Sequence, residues 1–211
     1  NVVGLSTDKA VSAINLYGAT KLCLEKIFIA ANNVKGKQNI KFSIARYGNV
    51  FGSRGSIIPY LKENEKKDTI DITDKSMTRF NITLDESVDF VFWILKNNFG
   101  GEIFVPKLPS YRILDLVKAI CPDKKIKYIG IRPGEKMHES MISQSDAPFC
   151  LDINKHYVVL QNGNNELYKK YLKAKAKKVS NNFSYSSDKN NHFMKIKEIN
   201  KLYEKEFSNS N

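Results

Sequence analysis

Hydrophobic and polar positions run in blocks along the chain. The first block is a short apolar stretch, Val2-Val3-Gly4-Leu5, that ends in Ser6-Thr7-Asp8-Lys9. It predicts a buried parallel strand whose carboxyl end opens into a polar loop. In open α/β sheets that end is where ligands sit. Over residues 15–31 the positions Leu16, Ala19, Cys23, Ile27 and Ala30/Ala31 recur at helical spacing, which predicts a helix with Asn15 as its cap. Residues 41–47 (KFSIARY) predict a second strand, and residues 48–55 (GNVFGSRG) a glycine-punctuated loop. Strand, helix and strand at this spacing form a βαβ unit, whose crossover is expected to be right-handed.

Residues 56–66 predict a helix and Thr69–Ile72 a short strand. Residues 83–96 predict a helix opened by a Thr83/Glu86 capping box, with Leu84, Val88, Val91, Phe92 and Leu95 turned to the core. Gly100-Gly101 stops this helix ahead of a strand at 102–105. Ser110 is the expected cap of a helix over Ile113–Ile120, followed by a strand at 126–131 and a short helix at 134–141. Beyond Leu160 the sequence turns polar and rich in Asn and Lys, which predicts an appendage with one late helix at Ile196–Phe207. No internal repeat is present.

The composition is globular: 211 residues, 42% hydrophobic and 27% charged. That excludes wholesale disorder and gives enough chain for a full core. No apolar run approaches the roughly 18 residues of a membrane span. The first residue is Asn1 and the opening reads as a core strand, so the chain is expected to be the later part of something longer. A formal charge of +12 raises nucleic-acid binding. Distribution argues against it: residues 161–211 hold eleven Lys and five acidic residues, and only five Arg occur in the whole chain. Duplex readers lean on bidentate Arg, so solvated lysines are expected and a nucleic-acid partner is not. Cys23, Cys121 and Cys150 are scattered, as are His138, His156 and His192. This suits a reducing compartment and gives no metal site.

Tyr17-Gly18-Ala19-Thr20-Lys21 places a phenol and an ammonium four residues apart on one helix face. A phenol with a pKa near ~10 is a poor base at neutral pH unless a cation stabilises the phenolate, and Lys21 is placed to be that cation. By itself YxxxK is common on helix surfaces. Its position just after Ser6-Thr7-Asp8-Lys9 lets all these polar groups converge.

The ordered series STDKA, NLYGATK, RYGNV, GSRGS, MTRF, GGEIFVPK and IGIRPGEKMHE resembles the extended short-chain dehydrogenase/reductases, specifically the inverting UDP-N-acetylglucosamine 4,6-dehydratases. The likeness runs from residue 1 to about 160, and Tyr185-Ser186-Ser187 with Asn190-Asn191 is similar to the family's tail motif. The resemblance implies an α/β fold: part of a Rossmann-like parallel sheet, its N-terminal half missing, with a small α/β substrate-binding subdomain. The implied boundaries are 1–55 for the NADP-binding part, 56–160 for mainly the substrate-binding part and 161–211 for the appendage. No GxGxxG occurs in these residues, so the chain alone is expected to hold NADP poorly and to be inactive.

In that chemistry the sugar is oxidised at C4, the acidified C5 proton is removed, the C6 hydroxyl leaves as water, and hydride returns to C6. By resemblance, Tyr17 is the C4 base, Tyr17 and Lys21 face the cofactor, Asp8 is the acid, Lys9 the C5 base, and Thr7 hydrogen-bonds at the C4 oxygen. Retaining relatives carry Glu where Lys9 stands. A lysine with pKa near ~10.4 must be depressed, by burial or by Lys21, to act as a base. The resemblance also assigns Asn49, Arg79 and Arg132 to UDP-N-acetylglucosamine, Glu135 to the uridine ribose, and the backbone near Ile57 and Thr69 to the uracil end.

Arg46, at a strand end, reads as structural. His138 and Glu139 read as packing beside Glu135, Phe90, Phe92, Trp93 and Phe99 as core or oligomer contacts, and Cys23 as a small buried hydrophobe. A homo-oligomer and a cytoplasmic location are implied for the longer parent. Two other readings stand beside the dehydratase: an epimerase of the same extended family, which shares Tyr17 and Lys21 but needs no Asp8-Lys9 pair, and a non-catalytic sugar-nucleotide-binding module.

Overall fold

The structure, a computed structural model, describes residues 1–160 and 165–207. In chain order its first elements are β1 (Val2–Thr7), α1 (Leu16–Val34), β2 (Phe42–Tyr47), β3 (Asn49–Val50), α2 (Ile57–Glu63), β4 (Thr69–Ile72) and β5 (Thr78–Ile82). Then follow α3 (Leu84–Asn97), β6 (Ile103–Pro106), β7 (Ser110–Arg112), α4 (Ile113–Ile120), β8 (Lys125–Tyr128) and β9 (Ser140–Ile142). The last are β10 (Cys150–Asp152), β11 (His156–Val159), α5 (Asn165–Lys173), β12 (Lys177–Lys178), β13 (Tyr185–Ser186) and α6 (Ile196–Phe207).

These elements sort into two compact units. The first takes Asn1–Gly48, Thr83–Lys107 and Ser140–Ser186, the second Asn49–Ile82, Leu108–Glu139 and Ser187–Asn211. The division is interleaved along the chain. The appendage expected at 161–211 falls partly outside the described residues, and its described part is shared by both units.

The first unit is built on a six-stranded sheet in the order β1-β2-β6-β11-β10-β12. β1, β2 and β6 are parallel, as the βαβ reading requires. β11, β10 and β12 continue the sheet antiparallel. Ala45, Phe104, Leu151 and Val158 of the sheet pack with Phe90 and Ile94 of α3 and with Leu167 and Tyr171 of α5. The buried Glu102 carboxylate ties this core to the chain around it. Its Oε1 accepts the Phe99 N–H at 2.6 Å and the Tyr171 hydroxyl at 3.0 Å, and its Oε2 accepts the Gly100 N–H at 2.7 Å and the Ser43 hydroxyl at 2.8 Å. Burial, with the Glu102 charge added, holds the Tyr171 phenol well above its ordinary pKa.

The second unit has a three-stranded sheet, β3-β5-β7, and the parallel pair β4-β8. Its core joins Ile58 and Leu61 of α2, Ile70 and Ile72 of β4, Leu116 and Val117 of α4, and Ile199 of α6.

Several expectations hold. Asn15 caps α1 by accepting the Gly18 N–H, Thr83 and Glu86 form the capping box of α3, and Thr69–Ile72 and Ile196–Phe207 have the expected bounds.

The core face expected of α3 and the burial expected of Cys23 do not hold. On α1 the buried positions are Gly18, Glu25 and Ile29, while Leu16 and Ile27 are exposed, and so is Cys23. On α3 the buried positions are Ser87, Phe90 and Ile94, while Leu84, Val88 and Phe92 are exposed. In both helices a buried polar or small residue sits on the packed face, so a count of apolar positions selects the wrong side. Ser110 lies in β7 and hydrogen-bonds with the 190–194 segment, so α4 starts without its cap. Residues 134–141 form turns leading into β9, not a helix.

His156 lies against Trp93 and Phe90, with ring centroids 4.4 and 5.0 Å away, and its buried Nδ1 has no hydrogen-bond partner. Burial pushes its pKa down to about 4, with Lys155 and Lys107 adding to the effect. The unfolded chain, with a histidine near 6.5, therefore binds the extra proton first as pH falls. Stability held by the neutral ring is complete above about pH 6.5 and lost toward pH 4, a loss of roughly 1–2 kcal/mol after discounting for solvent reaching the ring. Urea titrations across this range are expected to show that His156→Phe flattens the dependence.

Candidate active site

β1 ends at Thr7, and the chain then makes a single 3-10 turn over Asp8–Ala10. The Thr7 hydroxyl accepts the Lys9 backbone N–H at 3.4 Å and donates to Asp8 Oδ1 at 3.0 Å. Lys9 Nζ reaches the same Oδ1 at 3.1 Å. Asp8 is fully buried, whereas the Lys9 side chain keeps 27% exposure. Oδ1 thus takes both local donors, and Asp8 Oδ2 is buried without a hydrogen-bond partner.

α1 packs against this turn at Gly18. A Cβ at Gly18 would lie 2.2 Å from the Lys9 carbonyl oxygen, so only glycine lets the helix approach the backbone of the Asp8-Lys9 turn. The Tyr17 ring is half exposed, with Lys21 Nζ 5.9 Å from its centroid. Lys21 Nζ also donates to the Leu5 carbonyl at 3.0 Å, which holds the ammonium at the end of β1. Thr7, Asp8 and Lys9 are therefore joined by hydrogen bonds at this turn, Gly18 of α1 packs on its backbone, and Lys21 is held at the end of β1.

Sequence reasoning missed the groups beneath. Ser6 is in register with Arg46, and Thr7 with Tyr47. Glu25, on the buried face of α1, accepts the Ser6 hydroxyl at 2.6 Å and two Arg46 hydrogen bonds, from Nε at 2.7 Å and Nη2 at 2.6 Å. Arg46 Nη1 donates to the Met141 carbonyl at 2.9 Å and lies 3.5 Å from Asp146. Burial opposes the Arg46 charge, but the hydrogen bonds and charge of Glu25, with Asp146 beyond, outweigh it and raise the guanidinium pKa. The structural reading of Arg46 is thus supported, with Glu25 as the partner the sequence did not reveal. Burial also pushes the Tyr47 phenol up, and Tyr17 adds to that electrostatically.

In the second unit, the residues assigned by resemblance form two hydrogen-bonded groups. Asn49 pairs in register with Asn81, and Arg79 lies two residues along β5 on the same face. Arg79 is buried, its Nη1 donating to the Thr78 and Met137 carbonyls at 2.7 and 3.1 Å and its Nη2 facing Met77 Sδ at 3.2 Å. In the other group, Glu135 Oε2 accepts the Thr73 hydroxyl at 3.3 Å and the Arg132 N–H at 3.2 Å, leaving the Arg132 side chain exposed. Ile57 and Thr69 begin α2 and β4 and belong to neither group. His138 is structural: its Nδ1 pairs with the Thr78 hydroxyl at 2.8 Å, which also meets the Ser187 hydroxyl at 2.7 Å. Among the described residues no cluster of His, Cys, Asp and Glu is arranged to hold a metal ion, and no helix is long and apolar enough to cross a membrane.

The pattern that defines the family described as polysaccharide biosynthesis protein matches residues 1–161. The chain belongs to this family. Among its relatives, the UDP-N-acetylglucosamine 4,6-dehydratase (inverting) of Campylobacter jejuni is 44% identical over 204 residues, covering 93% of the chain and 61% of that protein. The UDP-glucose 4-epimerase of Rickettsia bellii is 36% identical over 206 residues, covering 95% of the chain and 60% of that protein. The solved structure of Pen from Bacillus thuringiensis matches with a TM-score of 0.83 at 30% identity, over 97% of the chain and 62% of that structure. The chain thus spans about three fifths of the length of these family members. The Rossmann-like α/β class expected from the sequence is the fold observed.

Removing one partner of a buried ion pair leaves the other charge uncompensated. Glu25→Leu is therefore expected to destabilise the protein by about 3–5 kcal/mol, and Glu25→Leu with Arg46→Met to recover much of that loss. Urea denaturation of the two variants checks this. A single variant no less stable than the parent would remove the pair from its place in the structure.

Proposed function

We propose that the protein carrying this chain is a nucleotide-sugar 4,6-dehydratase that acts on UDP-N-acetylglucosamine and inverts C5, giving a UDP-4-keto-6-deoxy-L-sugar. The observation that carries this reading is the Asp8–Lys9 contact of 3.1 Å on the turn against which α1 places Tyr17. Reversible inversion at C4 needs a base for one hydroxyl and nothing more. An acid and a base side by side are what removal of water across C5 and C6 requires.

The pair also answers how a lysine serves as a base at neutral pH. Moving one proton from Lys9 Nζ to Asp8 along their hydrogen bond turns carboxylate and ammonium into carboxylic acid and amine, with no change in net charge. The transfer places the acid proton on Oδ1, the oxygen that Lys9 Nζ contacts. Lys9 then takes the C5 proton as the C5–C6 double bond forms. Asp8 protonates the departing C6 oxygen, water leaves, and the ion pair is restored.

Tyr17, as phenolate beside Lys21, takes the C4 hydroxyl proton, and Thr7 hydrogen-bonds at the C4 oxygen. The chemistry of the Tyr17/Lys21 pair fits a nicotinamide dinucleotide, which we take to be NADP. When bound, it supplies the hydride acceptor for C4 and the hydride returned to C6. Tyr17 and Lys21 would hold its nicotinamide end. In the second unit, Asn49, Arg79 and Arg132 hold the sugar diphosphate, Glu135 the ribose, and the backbone near Ile57 and Thr69 the uracil.

The whole gene product, incubated with NADP and UDP-N-acetylglucosamine in deuterated water, is expected to give a 6-deoxy product with deuterium at C5. Lys9→Met is expected to abolish C5–H exchange. A product that keeps its C6 hydroxyl and differs only at C4, read by NMR, would establish an epimerase instead. Exchange at the parent rate in Lys9→Met would remove that lysine from the mechanism.

A further inference from the structure

β5 alternates strictly. Thr78, Phe80 and Ile82 share one face, and Arg79 and Asn81 the other, where Asn49 of β3 stands in register with Asn81. Asn81 is 3% exposed. Its backbone N–H donates to the Pro109 carbonyl at 2.9 Å, but among the described residues its side chain makes no hydrogen bond, and Oδ1 is buried without a partner. An unsatisfied buried acceptor is costly and uncommon in native proteins. An apolar side chain of the same size would satisfy folding better. The carboxamide at this position therefore points to something that completes it.

Its neighbours say what kind of group that is. Arg79 and Asn49 offer donors, which suit the oxygens of a diphosphate. A diphosphate at neutral pH has no proton to give to Oδ1. The group that satisfies Asn81 must carry an O–H or N–H.

We infer that Asn81 is a substrate-specificity residue whose Oδ1 accepts a hydrogen bond from a hydroxyl or acetamido N–H on the hexose of the sugar nucleotide. This rests on the proposed function, which assigns the diphosphate to Asn49 and Arg79 and the uracil to other residues. Asn81 is not a catalytic residue. It contributes affinity for the hexosyl part alone.

The test is Asn81→Leu in the whole gene product, with UDP-N-acetylglucosamine and UDP binding measured by calorimetry and thermal unfolding measured without ligand. The expected result is UDP-N-acetylglucosamine binding about tenfold weaker, UDP binding within about twofold of the parent, and an unliganded Tm equal to or above the parent's. Equal weakening for both ligands, no weakening for either, or a Tm lowered by several degrees would overturn the inference, the last by showing a structural role. A parent protein that binds UDP-N-acetylglucosamine but does not dehydrate it would defeat the proposed activity while leaving the Asn81 comparison intact. A parent that does not bind it at all would defeat both.

Discussion

The first unit is organised around one buried ion pair, Glu25 with Arg46, whose side chains are essentially removed from water. Desolvating two charges costs several kcal/mol per ion, so such a pair persists only where hydrogen bonds saturate it. Here they do. Ser6, the Met141 carbonyl and Asp146 complete the set, and each comes from a different part of the chain. The pair consequently fixes the end of β1 to α1, to the end of β2 and to the segment after β9. The Asp8-Lys9 turn begins two residues beyond Ser6, so its placement follows from this constraint.

The second constraint is steric. Gly18 allows α1 to meet the Lys9 carbonyl at a distance no other residue tolerates, and Tyr17 is its immediate neighbour. Ion pair and close approach together hold the Asp8 carboxyl and the Lys9 amine beside the start of α1, which carries Tyr17. A carboxyl group fully buried beside a partly exposed amine can exchange a proton with it at constant net charge. The elimination we propose uses that property, returning the pair to its starting charge when water has left.

Much of this was legible in the sequence where the determinants are local. The Asn15 cap, the Thr83/Glu86 box and the strand ending in Ser6-Thr7-Asp8-Lys9 each depend on residues within a few positions of one another. So does the Tyr17/Lys21 spacing. What stayed hidden depends on distant partners. Glu25 is nineteen residues from Ser6 and twenty-one from Arg46, and nothing in the α1 sequence marks a glutamate as the packed side. The core face of α3 is hidden for the same reason, since Leu84, Val88 and Phe92 face outward in this chain. Asn81 had no signal either, being one polar residue in a strand only five residues long. The short strands β3, β7 and β9 are set by pairing across the fold, and local patterning does not show them.

In the proposed elimination, Asp8 and Lys9 act as a single unit sharing one proton. A double-mutant cycle on the rate of 6-deoxy product formation, with Asp8→Asn, Lys9→Met and both together, tests it most directly. If the two residues share that proton, the double variant is no slower than the slower single variant, because either change already disables the pair. If the losses multiply, each residue works independently and the shared-proton account is wrong.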